Sequence, residues 1–342
     1  MEELDGPSGD GTVVILDPGD RRGIESYLVH RGLIDDGDSV REVARAGPGN
    51  MNLVLRVVTD STSLVVKQGR PYVEKYPHIP APPERTVLEA EWYLLAASRP
   101  DVARRLPALV GVDRESSILV LADLGRVGDL TELYAGERLG EECIDTLARW
   151  LAALHGGFRG DEAARELANA GMRRLNHEHI FEVPLREGNG LDLDTVTPGL
   201  ASVVQGLRSD RRLRDATASL GAAYLGEGAT LLHGDFHPGS WLAGAAGPYV
   251  IDPEFAFFGL PEFDVGVALA HLELSGQPQA ASGRLLAVYR ARAPLDADLA
   301  WAFSGAEVIR RLLGVAQLPL PVGLGEKQEL IGRAVDRVKA AG

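Results

Sequence analysis

The chain has 342 residues, 45% of them apolar and 25% charged, the balance of an ordinary globular protein with room for one large domain or two lobes. Its formal charge of −14 repels phosphate backbones and argues against nucleic acid as a partner, while a cationic ligand stays open. The single cysteine, Cys143, excludes an internal disulfide and a thiolate zinc cluster. The opening Met1-Glu2-Glu3-Leu4-Asp5-Gly6 lacks a secretory pattern and no apolar run reaches about 18 residues, so a cytoplasmic protein without membrane contact is expected.

Residues 1–12, rich in Gly, Asp and Glu, read as loose. A short helix is expected over 23–32, stopped by Gly32, followed by strands over 39–44, 52–58 and 63–67, where β-branched residues alternate with polar ones. Between the first two strands lies Ala46-Gly47-Pro48-Gly49-Asn50-Met51-Asn52. Glycines there let backbone N–H groups approach phosphates, although such a turn is by itself no more than a hairpin turn. Five prolines between 69 and 83 predict an extended loop. A helix is expected over 84–98 and strands over 108–113 and 117–122. Beyond Asp123 helical periodicity dominates, at 140–155, 200–224, 262–275, 282–292, 296–316 and 325–341, with short strands near 230–233, 240–243 and 248–251. A sheet-rich lobe over 1–122 and a helix-rich lobe over 123–342 suit a ligand cleft between them.

The chemistry concentrates in Leu231–Phe255. His233-Gly234-Asp235-Phe236-His237-Pro238-Gly239-Ser240 is joined through the turn Gly244–Gly247 to Tyr249-Val250-Ile251-Asp252-Pro253-Glu254. A hairpin of that length brings Asp235 and Asp252 to one end, and clustered carboxylates repel unless a cation or proton sits among them. Hard oxygen donors without thiolates favour magnesium. A cation plus one further carboxylate is what phosphoryl transfer to a hydroxyl requires. A metal-hydrolase reading of His233, Asp235 and His237 with His177-Glu178-His179 lacks the His-Glu-x-x-His spacing.

This block resembles the catalytic and metal loops of the aminoglycoside phosphotransferase group, and within it the methylthioribose kinase type, whose forms His-Gly-Asp-x-His-x-Gly-Ser and Ile-Asp-Pro-Glu-Phe-Ala-Phe stand at 233–240 and 251–257. The likeness continues in Gly259–Gly266 and in Gly305-Ala306-Glu307-Val308-Ile309-Arg310-Arg311. It implies an α+β, two-lobed protein-kinase-like fold, with a small antiparallel-sheet N-terminal lobe and a larger helical C-terminal lobe. It implies ATP and Mg2+ as cofactors, Asp235 as catalytic base, and Asp252 with Glu254 as metal ligands. Ser240 stands where the wider group has asparagine, on the cofactor side, and His233 and Asp264 brace the loop.

The same resemblance makes Gly47, Gly49, Asn50, Asn52 and Lys67, in Val65-Val66-Lys67, the nucleotide-phosphate residues, and 118–124 the hinge facing adenine. A helix glutamate should pair with Lys67; Glu89 and Glu91 point to different helix faces and the resemblance favours Glu91. Arg310 and Arg311 match an arginine pair at the substrate site, where the alternative is two surface ion pairs. The implied reaction is phosphorylation of a hydroxyl on a sugar-like small molecule, a pentose such as methylthioribose first. The alternatives are an antibiotic- or metabolite-modifying phosphotransferase, for which the acidic charge would suit a cationic substrate, and a non-catalytic ATP-binding scaffold. Relatives of this type are often dimers, so a homodimer is a further expectation of the resemblance.

Overall fold

The computed structural model describes residues 13–47, 51–160 and 167–341. They fall into two compact units: Met1–Val127 with Ile251–Glu254, and Gly128–Val250 with Phe255–Gly342.

The first unit begins with α1 (Arg21–His30), capped by the Asp20 carboxylate, which accepts from the Gly23 N–H at 2.9 Å. Three strands follow, β1 (Val40–Arg45), β2 (Leu53–Thr59) and β3 (Ser63–Gln68). The period of two is visible in β2, where Leu53, Leu55 and Val57 are fully buried and the residues between them are not. The proline-rich segment is not a plain loop. It pairs β4 (Tyr72–Val73) with β5 (Tyr76–Pro80), a two-stranded ladder that needs few N–H donors and so tolerates proline. Then come α2 (Arg85–Ala97), α3 (Pro100–Ala103), β6 (Leu109–Asp113) and β7 (Ile118–Ala122). The sheet runs β1-β2-β3-β7-β6 and is antiparallel throughout. Lys67 therefore lies on the central strand, between Val54 and Leu119. Leu16, Ile24, Leu28, Leu55, Val66 and Val120 pack α1 onto the sheet, each burial worth about 1.5–3 kcal/mol for a large side chain.

The second unit is mostly helical: α4 (Glu141–Gly157), α5 (Ala170–His177), α6 (Leu200–Ser209), α7 (Arg211–Leu225), then β8 (Thr230–Leu231), β9 (Trp241–Leu242), β10 (Tyr249–Val250), β11 (Phe258–Gly259), and α8 (Pro261–Leu274), α9 (Gln279–Arg290), α10 (Ala297–Leu313) and α11 (Leu324–Ala340). The single helix expected over 200–224 is broken at Asp210, whose extended backbone ends α6 and whose carboxylate caps α7 by accepting from the Leu213 N–H at 3.0 Å. Two short ladders, β9 with β10 and β8 with β11, frame the loop that carries Asp235. Helix α10 is packed between α8 and α11 and is buried along most of its length. Gly305 permits the approach to α11, since a Cβ there would lie 2.5 Å from the Ala334 carbonyl oxygen. No helix among the described residues is long and apolar enough to cross a membrane.

Candidate active site

Within the first unit, Lys67 is 3% exposed and its Nζ reaches two carboxylates: Glu89 on α2 at 2.6 Å, and Asp252. Burial opposes its charge, but Asp252 and Glu89 more than offset that and hold its pKa well above the ordinary lysine value. The expectation of Glu91 as partner is corrected. Glu89 shares the inward stripe of α2 with Arg85, Trp92, Tyr93 and Ala96, whereas Glu91 points outward and pairs with Arg114 at 2.8 Å. The stripe itself was the sequence signal that would have chosen Glu89.

Asp252 has φ +65°, a left-handed conformation rare outside glycine, and its side chain is partly exposed. Glu254 is buried; burial and the neighbouring Asp252 push its carboxyl up to about 8. Burial likewise pushes Glu89 up to about 7. Three carboxyl groups thus share a low-dielectric region with two cations, Lys67 and Arg85, so that full ionisation of all three would leave negative charge in excess. A hard divalent ion on Asp252 and Glu254 fits that excess. Two carboxylates, with remaining positions left to phosphate and water, are a donor set that suits Mg2+. Among the described residues no group of three or more His, Cys, Asp or Glu is arranged to hold a metal alone.

Asn52 is buried, and its side chain is engaged inward: Nδ2 donates to Glu254 at 2.8 Å and Oδ1 accepts from Arg85 at 2.7 Å. Gly47 has φ +92°. Gly49 and Asn50 lie outside the described residues.

Within the second unit the loop bearing Asp235 is pinned from several sides. Gly234 has φ +86°, and a Cβ there would sit 2.1 Å from the Phe255 carbonyl oxygen, so only glycine fits. Asp264, in the first turn of α8, accepts from the N–H groups of His233 at 2.6 Å and Gly234 at 2.9 Å. His155, near the end of α4, stands 3.2 Å from Asp264 and 2.8 Å from the Tyr289 hydroxyl and is a buried brace. Ser240, expected on the cofactor side, is buried and donates its hydroxyl to the Asp235 carbonyl at 2.9 Å, which makes it part of the loop's own support.

The Asp235 carboxylate accepts from Arg311 Nη2 at 3.1 Å, with Arg310 Nη1 at 3.6 Å and His237 Nε2 at 3.3 Å. Burial works against its charge, but His237, Arg311 and Arg310 hold its pKa well below the usual carboxylate value. Arg310 and Arg311 are both buried on α10, which excludes the reading as surface ion pairs. Their anchor is Glu307, which sequence reasoning missed as a site residue: it is fully buried and accepts from Arg311 Nε at 2.6 Å and Arg310 Nη1 at 3.1 Å. His271 Nε2 lies 3.1 Å from the same carboxylate, and burial pushes this imidazole down to about 3, so it is neutral. An ionised carboxylate flanked by two fixed guanidiniums can orient a hydroxyl and bear negative charge developing beside it.

The model of the phosphotransferase enzyme family matches residues 42–297. Methylthioribose kinase of Exiguobacterium sibiricum is 31% identical over 68% of this chain, and the chain spans 61% of that relative's length. Methylthioribose kinase of a Geobacillus species is 27% identical over 92% of this chain and 88% of its own. Among solved structures, the choline kinase LicA from Streptococcus pneumoniae has a TM-score of 0.54 at 17% identity, covering 93% of this chain and 98% of that one. An AMP-bound spectinomycin phosphotransferase has a TM-score of 0.55 at 11% identity, covering 93% and 97%. These likenesses carry the fold, which is kinase-like: a small unit built on an antiparallel sheet and a larger helical one. With three quarters of its length inside the family's boundaries, the chain belongs to the phosphotransferase enzyme family.

Proposed function

We propose that the protein is an ATP- and magnesium-dependent kinase that phosphorylates a hydroxyl of a sugar-like small molecule, with methylthioribose the first candidate. The observation that carries this reading is the buried Arg310–Arg311 pair seated on Asp235. A polycationic antibiotic would bring ammonium groups against two desolvated guanidiniums, whereas a neutral pentose or an anionic acceptor does not. The relatives named methylthioribose kinase favour the same acceptor class.

On the nucleotide side, Lys67 is held in place by Glu89 and Asp252 for the α- and β-phosphates. Asp252 and Glu254 are the residues that would hold Mg2+, which when bound neutralises phosphate charge. On the acceptor side, Asp235 orients the hydroxyl and takes its proton. The acceptor oxygen bonds to the γ-phosphorus, the bond to the β–γ bridging oxygen breaks, and ADP leaves with that electron pair. The low pKa of Asp235 makes orientation its larger contribution, with proton capture late in the transfer. Arg310 and Arg311 steady the acceptor or the transferring group. A kinase works where ATP is made, so the cytoplasm belongs to the same reading, as does a homodimer, which light scattering tests.

The direct test of acceptor class is MgATP turnover against methylthioribose, other pentoses, nucleosides and aminoglycosides. Selective turnover of methylthioribose is expected. Selective turnover of an aminoglycoside would move the protein to the antibiotic-modifying reading. Nucleotide binding with no turnover of any acceptor would favour the scaffold reading.

A further inference from the structure

Arg85, at the start of α2, is fully buried, and every one of its N–H donors is used. Nε donates to Asn52 Oδ1 at 2.7 Å. Nη1 donates to the carbonyls of Arg70 and Pro82, both at 2.7 Å, and Nη2 to those of Met51 at 2.6 Å and Tyr72 at 3.3 Å. The acceptors come from two segments that a nucleotide site has to hold still. Met51 and Asn52 lead directly into β2, and Arg70, Tyr72 and Pro82 belong to the proline-rich segment that forms the β4–β5 hairpin.

The fifth donor leads further. Asn52 must present its oxygen to the guanidinium, because arginine only donates, and its amide nitrogen is thereby turned to Glu254, whose Oε2 accepts it at 2.8 Å. The amide is a relay of fixed polarity between a buried cation and one of the two carboxylates assigned to Mg2+. Its orientation has one solution, so Glu254 is held in one place before any cation arrives.

We propose that Arg85 is a positioning residue of the cation site, fixing Glu254 through Asn52 while tying the entry to β2 and the proline-rich hairpin into the same frame. The inference rests on the reading that Asp252 and Glu254 take the nucleotide's cation. It gives the segment 69–83 a part in nucleotide binding. It also explains why a charged residue occupies a buried position where a structural carbonyl clamp alone would not need Asn52 to face Glu254.

The test is calorimetric titration of ADP, with and without Mg2+, into the full-length protein as wild type, Arg85→Lys, Asn52→Ala and the double variant. Lysine keeps the charge but not the five-donor fork. Each single variant is expected to weaken Mg2+-dependent ADP binding by about tenfold or more, while ADP binding without Mg2+ changes little. The double variant is expected to be no weaker than Asn52→Ala alone, since both changes cut one relay. A merely structural role would lower the melting temperature and the binding stoichiometry but leave the Mg2+-dependent Kd unchanged in the folded fraction. That result, or independent additive losses, overturns the proposal. Should Arg85→Lys not fold, Asn52→Ala decides alone, because it leaves the four carbonyl contacts of Arg85 in place. Wild-type protein that binds ADP without any Mg2+ dependence overturns the cation reading and this inference with it; Mg2+-dependent wild-type binding with unaffected variants overturns the inference only.

Discussion

Arg311 bridges two carboxylates: its Nε donates to Glu307 at 2.6 Å and its Nη2 to Asp235 at 3.1 Å. One of these partners is a permanent anchor, fully buried and far from any role in proton transfer; the other is the proposed base. The guanidinium thereby transmits the rigidity of α10 to the reacting carboxylate, and it keeps Asp235 ionised.

Removing the anchor should be costly. Glu307→Ala leaves two buried guanidiniums short of a partner, and a loss of about 3–5 kcal/mol is expected in denaturant unfolding. Glu307→Gln preserves shape and one acceptor and should lose less. Equal stability of the alanine variant and wild type would mean that the arginines are solvated in solution.

The arginines themselves are best tested conservatively. Arg311→Lys retains charge but cannot reach Glu307 and Asp235 together, so kcat should fall by about 10²-fold while the protein stays folded. Arg310, whose Nη1 is closer to Glu307 than to Asp235, should show a larger share of its effect in the acceptor KM. If neither parameter moves in either variant, the pair has no part in the acceptor site.

Glu89 and Glu91 make a matched comparison on one helix. Glu91→Gln breaks a half-exposed pair with Arg114 and should cost about 0–1 kcal/mol with MgATP affinity intact. Glu89→Ala strands the buried Lys67 against Asp252 alone and should cost about 3–5 kcal/mol, with weakened nucleotide binding. The reverse ranking by calorimetry would restore Glu91 as the partner.

The pH dependence has a definite sign. The folded pKa of Asp235 lies well below its ordinary 3.8, and that of Glu307 lies below its ordinary 4.5. In both cases the unfolded chain takes up protons first as pH falls. Their contribution to stability is therefore complete above the ordinary values and is lost as pH drops through them toward the folded ones. For the same reason the acid limb of kcat/KM for the acceptor, at saturating MgATP, should lie below the ordinary carboxylate range. An acid limb near neutrality would show that another group is the base.

The sheet and most helices were legible because burial on one face leaves a period that the residues display, as in Leu53, Leu55 and Val57 of β2. The acidic motif residues were legible because carboxylates spaced around glycine and proline have few structural uses. What escaped was set by the backbone or by three-dimensional neighbours. Asp210 reads as a surface acid inside a helical run, and only its extended backbone turns it into a cap. Arg85 binds four carbonyls, which every residue possesses, so no pattern of side chains announces it. Glu307 sits in a motif that pointed past it to the arginines it holds.

The proposed reaction turns on Asp235 acting on a sugar hydroxyl. Phosphorus NMR of a reaction containing MgATP and methylthioribose, run with wild type and Asp235→Asn, tests it most directly. With wild type, a new sugar phosphate ester and ADP are expected in equal amounts. With Asp235→Asn the rate should be lower by about 10²–10⁴-fold, while calorimetry shows MgADP still bound. An ester formed at near wild-type rate by Asp235→Asn would contradict it.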